Sequence, residues 1–272
     1  MTSTPLQTDL DVRPVTGYTG AEIHGVDLSR GVDDELAAAI KEVLNTYGVI
    51  FFRDQSLSPD QYVDFGSTFG TVTTSRAPLP TVEENPLINA LIRQPDAQPS
   101  VVGGTWHADQ TYREEPTFGT ILYAKQVPPF GADTAYINMQ AAYDALSDGL
   151  KETLAGMRGV HVHAHNMRGR TAEEIAARPS VASHPVVLEH PENGRKTLYV
   201  SPGYTQRFEG WTEEESQPLL NFLCTHALRP EFGCRFRWET GSIAFWDNRQ
   251  VWHYAVNDTS GHLRVMHRLV VG

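Results

Sequence analysis

From Trp106 to the C-terminus, Gly, Pro, Asn and Asp cut the chain into short apolar and β-branched runs, a punctuation that excludes a fold made mainly of helices. Residues 120–126, 134–138, 159–165, 185–189 and 197–200 read as strands, and so do 234–239, 242–246, 251–256 and 262–271. A helix over 212–226 interrupts them, capped by Thr212 and carrying Glu213, Glu214 and Glu215 at the positive end of its dipole. Upstream, Leu36, Ile40, Val43 and Leu44 recur at helical spacing within 33–47. Asp33 or Asp34 caps that helix and Gly48 stops it. A short buried strand follows at 48–52, then a second helix that opens at Ser58-Pro59 and ends near Phe69-Gly70. Residues 71–105 read as irregular and proline-rich, with one strand at 87–92. Many short strands with a few peripheral helices predict a mainly β architecture, a jelly-roll sandwich or barrel.

No linker divides the chain, so residues 1–272 are expected to form a single domain. The stretch 166–183 reads as an exposed insertion with a short helix, a candidate lid. The formal net charge of −11 repels phosphate backbones and argues against a nucleic-acid partner. Two cysteines, Cys224 and Cys234, make neither a disulfide framework nor a four-cysteine zinc site, and they read as reduced thiols of a cytoplasmic protein. The polar start carries no secretory signal, and the longest apolar runs are far too short to span a bilayer.

The chemistry concentrates in two segments. In TWHADQTY, His107 and Asp109 lie two apart on an extended stretch, so both can point to one side. With one more His they make the two-His, one-carboxylate face that leaves three positions open on non-haem Fe(II). The plainer alternative is a His hydrogen-bonded to a nearby carboxylate. In WDNRQVWHYAVNDTSGHLRVMHRLVVG, His253 precedes a turn at 257–261, and a strand then returns with Arg264 and Arg268. Pairing 251–256 with 262–268 as a hairpin sets His253 nearly opposite Met266, with Arg264, Met266 and Arg268 on its face. An inward Arg is costly unless a carboxylate meets it, and a dicarboxylate could bridge that Arg and the metal.

HAD at 107–109, GADT at 131–134, WDNR at 246–249, His253, Arg264 and HR at 267–268 together resemble the taurine dioxygenase family. These are Fe(II)- and 2-oxoglutarate-dependent oxygenases, and the group includes aryloxyalkanoate dioxygenases and alkylsulfatases. TGAEIHGVDLS, VIFFRDQSLSPDQ, HPVVLEHPENGRKTLYV and PLLNFL extend the likeness over nearly the whole chain. The resemblance implies a double-stranded β-helix, a cupin-like jelly roll, and a homodimer or homotetramer. It implies iron ligands at His107, Asp109 and His253. It implies that Thr134 and Arg264 bind the distal carboxylate of 2-oxoglutarate, and that Arg268 lies near the substrate's anionic group or the cosubstrate. The reaction implied consumes 2-oxoglutarate and O2, releases succinate and CO2, and hydroxylates a C–H bond; beside oxygen or sulfur, that hydroxylation cleaves the substrate.

The same resemblance argues against taurine. The place of the His that holds the sulfonate is taken by Ser75, that of the Asn that contacts the amine by Gly103, and that of a pocket Tyr by Pro78. Ser75, Arg76, Tyr112, Met167 and Arg268 then form a substrate set for a small organic anion with an apolar group. Two other readings stand beside this one. His161, His163 and His165 alternate in HVHAH and could bind zinc from one strand face, as in a hydrolase. A non-catalytic metal-binding β-barrel is the other. Trp246 and Asp247 read as structural, His184 as strand-start packing, and His267 as facing away from the iron by strand alternation.

Overall fold

The structure is a computed structural model that describes residues 10–73, 79–97, 103–163 and 181–272. Among these, a nine-stranded sheet carries Ala21–His24, Val49–Phe52, Ile243–Asp247, Gly119–Gln126, Arg264–Val271 and Asn85–Arg93 in that spatial order, with shorter strands at its margins. A three-stranded sheet carries Gly233–Phe236, Thr134–Asn138 and Val251–Ala255, with Thr134–Asn138 in the middle. All pairs are antiparallel except Ala21–His24 with Val49–Phe52. This is the jelly roll expected from the strand-rich reading.

The short run Val49–Phe52 explains the layering. All four residues are fully buried, because alternate side chains enter different cores. Ile50 and Phe52 face the two N-terminal helices, where they meet Ile40, Leu44, Tyr62 and Phe65. Val49 and Phe51 face the other way and pack with Tyr136, Phe236, Trp246 and Met266 between the two sheets. The helix Asp34–Tyr47 starts where the Asp33 carboxylate accepts from Leu36 N–H, and ends at Gly48 in a left-handed conformation with φ +76°. Pro59–Ser67 starts with a capping box between Ser58 and Gln61. On the far side of the smaller sheet, Met139–Asp144, Asp148–Leu154 and Glu213–Ala227 bury a third core with Leu198, Phe208 and Trp252.

The proposed C-terminal hairpin does not form. Val251–Ala255 pairs with Thr134–Asn138, whereas Arg264–Val271 pairs with Asn85–Arg93 and Gly119–Gln126 in the other sheet. The intervening residues pass from sheet to sheet, and apolar alternation cannot say which partner a strand takes. Its phase survives the change of partner: Met266 is in the inter-sheet core and Arg268 reaches Asp109.

Other boundaries also move. The strand expected at 159–165 is Arg158–Val162, and the one at 185–189 is two strands, Val181–Pro185 and Val187–Glu189. Residues 71–105 contain Val72–Thr73 and Thr81–Val82 besides Asn85–Arg93. Of the candidate lid, 166–180 lies outside the described residues, and 181–183 belongs to a strand rather than a loop.

One buried polar cluster shapes the turn beside the site. Asp247 Oδ2 receives Arg249 Nη2 at 2.6 Å and lies 2.9 Å from His190 Nε2; Oδ1 accepts the backbone N–H of Arg249 at 2.8 Å. His190 and Asp247 have no exposed surface. Burial disfavours the Asp247 carboxylate, yet His190 and Arg249 hold its pKa below the ordinary carboxylate value. Breaking such a cluster leaves an uncompensated charge, so Asp247→Ala should lose on the order of 3–5 kcal/mol in urea denaturation. Asp11→Ala, at an exposed pair, should leave the midpoint unchanged; an equally stable Asp247→Ala protein would contradict this account of the turn.

Candidate active site

The loop that carries His107 is stitched to the strand that carries His253. His107 N–H donates to His253 O at 3.2 Å, His253 N–H to His107 O at 2.8 Å, and Ala255 N–H to Gly103 O at 2.8 Å. The two imidazoles are thereby held with ring centres 4.2 Å apart. Gly203 permits this closeness from behind, because a Cβ there would lie 2.8 Å from His107 Cβ.

Proton directions can be read from obligate partners. His107 Nδ1 lies 2.6 Å from the carbonyl of Thr105, which can only accept, so Nδ1 carries a proton, and in the neutral imidazole Nε2 is then the lone-pair atom. Asp109 Oδ1 lies 3.5 Å from that Nε2. With a neutral imidazole, His107 and Asp109 thus turn two potential ligand atoms toward one another. His253 Nε2 completes the group 4.0 Å from Asp109 Oδ2, and the ligand atoms of the three residues lie within 4.8 Å of one another. Burial, with His107 nearby, holds the His253 imidazole down to about 3, in the neutral form a metal requires. Among the described residues no other cluster of His, Cys, Asp and Glu has this geometry.

Asp109 is charged by design of its surroundings. It is buried, which opposes ionisation, but Arg268 Nη2 donates to its Oδ2 at 2.7 Å, and Arg268, His253 and His107 together keep its pKa well below the carboxylate range. Arg268 is equally buried, and Asp109 keeps it cationic against that burial.

A second cationic place lies further along the same strand. Arg264 is half-buried, its Nε is shut off from solvent and has no partner among the described residues, and no carboxylate there pairs with it. Burial and Arg93, its cross-strand neighbour, pull its pKa down to about 10. Thr134 Oγ1 accepts the indole N–H of Trp238 at 3.0 Å, and its hydroxyl also acts on that of Tyr136. The hydroxyl of Tyr136, two residues on, is also buried and, apart from Thr134, has no partner among the described residues. Buried donors that lack an acceptor fit a carboxylate group of a ligand.

The remaining expectations divide. Tyr112 is buried, its ring 5.1 Å from Tyr204 and 4.2 Å from His163, in the aromatic wall beside Arg268. Ser75, Arg76, Pro78 and Met167 lie outside the described residues, as does His165. Gly103 has φ +73°, and a Cβ there would meet Ala255 Cβ at 3.1 Å, so the fold leaves little room for a side chain. The described part of HVHAH gives the zinc reading no support: His161 Nδ1 lies 2.9 Å from the Thr111 hydroxyl and its Nε2 3.4 Å from that of Thr205, and His161 and His163 join no metal-binding cluster among the described residues. Asp247 is structural as expected, and Trp246 is buried between the sheets.

Sequence reasoning missed Thr120, Asn248, Gly203 and Trp238. Asn248 stood in the WDNR motif as a usable signal. The others touch the site only through tertiary contacts.

Fold and site together define a 2-oxoglutarate-dependent non-haem iron dioxygenase. The chain belongs to the TauD/TfdA family: the family model described as "Taurine catabolism dioxygenase TauD, TfdA family" matches residues 11–270. It is 32% identical to an alpha-ketoglutarate-dependent sulfate ester dioxygenase of Pseudomonas putida, over 100% of this chain and 92% of that protein. It is 31% identical to an alkylsulfatase of Acinetobacter baylyi, over 96% and 84%. A crystal structure of a taurine dioxygenase from Burkholderia xenovorans superposes with a TM-score of 0.85 at 36% identity, covering 97% of this chain and 89% of that one. A crystal structure of AAD-2 in complex with Mn(II) and N-oxalylglycine gives 0.87 at 26% identity, covering 96% and 97%. The enzyme is an oxidoreductase that uses Fe(II), 2-oxoglutarate and O2.

The buried His161 yields a pH prediction. Burial, with His184 beside it, takes its pKa from 6.5 to about 3. Between those values the unfolded chain binds a proton that the folded protein does not, so stability is full above pH 6.5 and falls as the pH drops. From pH 6.5 to 5 the metal-free protein should lose ~2 kcal/mol more than His161→Gln in urea titrations. Parallel losses in the two proteins would contradict it.

Proposed function

We propose that His107 Nε2, Asp109 and His253 Nε2 hold the iron, and that Arg264 and Thr134 bind the distal carboxylate of 2-oxoglutarate. The observation that carries this reading is the pairing of two places with opposite needs. His107, Asp109 and His253 gather three ligand atoms within 4.8 Å of one another, and Arg264, its Nε shut off from solvent, has no carboxylate partner among the described residues. A scaffold or a zinc hydrolase explains the first and leaves the second without a purpose.

Iron(II) with 2-oxoglutarate and O2 supplies oxidative decarboxylation to succinate and CO2 and the oxidant that hydroxylates a substrate C–H bond. The protein's own task is placement. Arg264 and Thr134 orient the dicarboxylate, Arg268 keeps Asp109 ionised, and the aromatic wall of Tyr112 and Tyr204 excludes water from the face where substrate enters. Arg268 also offers its cation to an anionic substrate group. No helix among the described residues is long and apolar enough to cross a membrane. The two cysteines are free, which supports a reducing, cytoplasmic setting.

The substrate we infer is a small organic anion bearing an apolar group, a sulfate ester or an aryloxyalkanoate rather than taurine. Gly103 supplies no polar partner for an ammonium group, and stripping water from that charge without replacement is unfavourable. Apolar area buried against the aromatic wall contributes about 25 cal/mol per Å2. The roles of Ser75, Arg76 and Met167 in this pocket rest on the sequence alone.

Two experiments test these assignments. Arg264→Ala should weaken 2-oxoglutarate binding by about 2–5 kcal/mol, roughly 30- to several-thousand-fold, and substrate binding far less. Thr134→Val should cost about 1–3 kcal/mol. Unchanged 2-oxoglutarate affinity with lost substrate affinity in Arg264→Ala would exchange the roles of Arg264 and Arg268. Succinate release should be faster with an alkyl sulfate or an aryloxypropionate than with taurine. Taurine as the best of the three would overturn the substrate reading and leave the iron chemistry standing.

A further inference from the structure

Behind Asp109 lies a closed ring of hydrogen bonds whose directions are fixed by chemistry. Asn248 Oδ1 is 3.0 Å from the backbone N–H of Asp109 and 3.0 Å from the indole N–H of Trp246. Both of those groups can only donate, so the amide orientation is determined and Nδ2 must point the other way. There it donates to Thr120 Oγ1 at 3.1 Å. A hydroxyl that accepts from Asn248 has one proton left to give, and its remaining near neighbour is Asp109 Oδ2 at 2.8 Å. The ring therefore runs from Trp246 through Asn248 and Thr120 to Asp109, with every proton assigned. Thr120, Asn248 and Asp109 are all buried, so water does not substitute for any member.

The fold supports each corner. Thr120 lies on the Gly119–Gln126 strand opposite Trp246. Asn248 sits in the turn that Asp247 holds, and its own N–H donates to Phe118 O at 2.9 Å. Asp109 Oδ2 thus receives two donors, Thr120 on one side and Arg268 on the other. Oδ1 is left turned toward the lone pair of His107 Nε2.

Resting on the iron-site reading above, we propose that Thr120 and Asn248 are positioning residues that lock Asp109 into single-oxygen ligation through Oδ1. With Oδ2 occupied by two donors, Oδ1 is the oxygen the carboxylate would offer to a bound metal. Arg268 supplies charge to that lock, and the Thr120–Asn248 pair supplies its geometry, since the ring ties both the Asp109 backbone N–H and its Oδ2 to fixed partners.

The test is binding and visible absorption of Co(II) added to the metal-free full chain. Thr120→Val keeps the shape and removes the donor, so Co(II) affinity should fall about 10–100-fold and the ligand-field spectrum should change. Thr120→Ser keeps the donor and should stay within about threefold of the parent, with the parent spectrum. Asn248→Asp keeps the acceptor for Asp109 N–H but turns the Thr120 proton toward residue 248. It should weaken Co(II) binding even though an added negative charge alone would strengthen it. Parent-like affinity and spectrum in Thr120→Val, or equal losses in Thr120→Val and Thr120→Ser, would overturn the inference and leave the iron site standing. Parent-like Co(II) binding by Asp109→Ala would overturn the iron site itself.

Discussion

The contact between Arg268 and Asp109 is the constraint on which the site depends. A carboxylate this deeply buried would ordinarily take up a proton, and a protonated Asp109 could not serve a metal. Arg268 at 2.7 Å reverses that preference, and Asp109 in turn makes a buried guanidinium tolerable. Each charge is affordable only with the other present. The jelly roll brings them together because the Arg264–Val271 strand turns Arg268 toward the space between the sheets, while the loop after Gly103 drops Asp109 into it from the smaller sheet's side.

The same geometry separates two jobs along one strand. Arg264 and Arg268 are four residues apart, so they share a face and stand two side-chain repeats from each other. Arg268 has its carboxylate partner within the protein. Arg264 has none among the described residues, and Tyr136, on the same strand as Thr134, is close enough to act on its charge. One arginine is thereby satisfied in the resting fold and the other is left for a ligand. Trp238 and Trp246 each occupy an acceptor at one of the two places, Thr134 Oγ1 and Asn248 Oδ1, and at Asn248 this fixes the direction of the amide.

Much of this was legible in the sequence. The spacing of His107 and Asp109, the inward phase of Arg264, Met266 and Arg268, and the caps at Asp33, Ser58 and Thr212 all follow from local rules, and the structure bears them out. The partner of the His253 strand was not legible. Alternation fixes which side chains turn inward, but pairing across sheets is decided by the whole barrel, so the hairpin about 257–261 was the wrong inference from the right phase. Short helices such as Met139–Asp144 escaped because their apolar faces are too brief to show a period. In the HVHAH run, alternation promises a shared face only while a strand continues, and the described strand there is Arg158–Val162.

The central claim is that the chain holds a metal on His107, Asp109 and His253 and a dicarboxylate on Arg264. A crystal structure of the full chain grown with Mn(II) and N-oxalylglycine tests it most directly. The account predicts Mn(II) on His107 Nε2, Asp109 Oδ1 and His253 Nε2, with the distal carboxylate of the analogue on Arg264 and Thr134. Mn(II) at another cluster, or an analogue whose distal carboxylate rests on Arg268 with Arg264 unengaged, would contradict it.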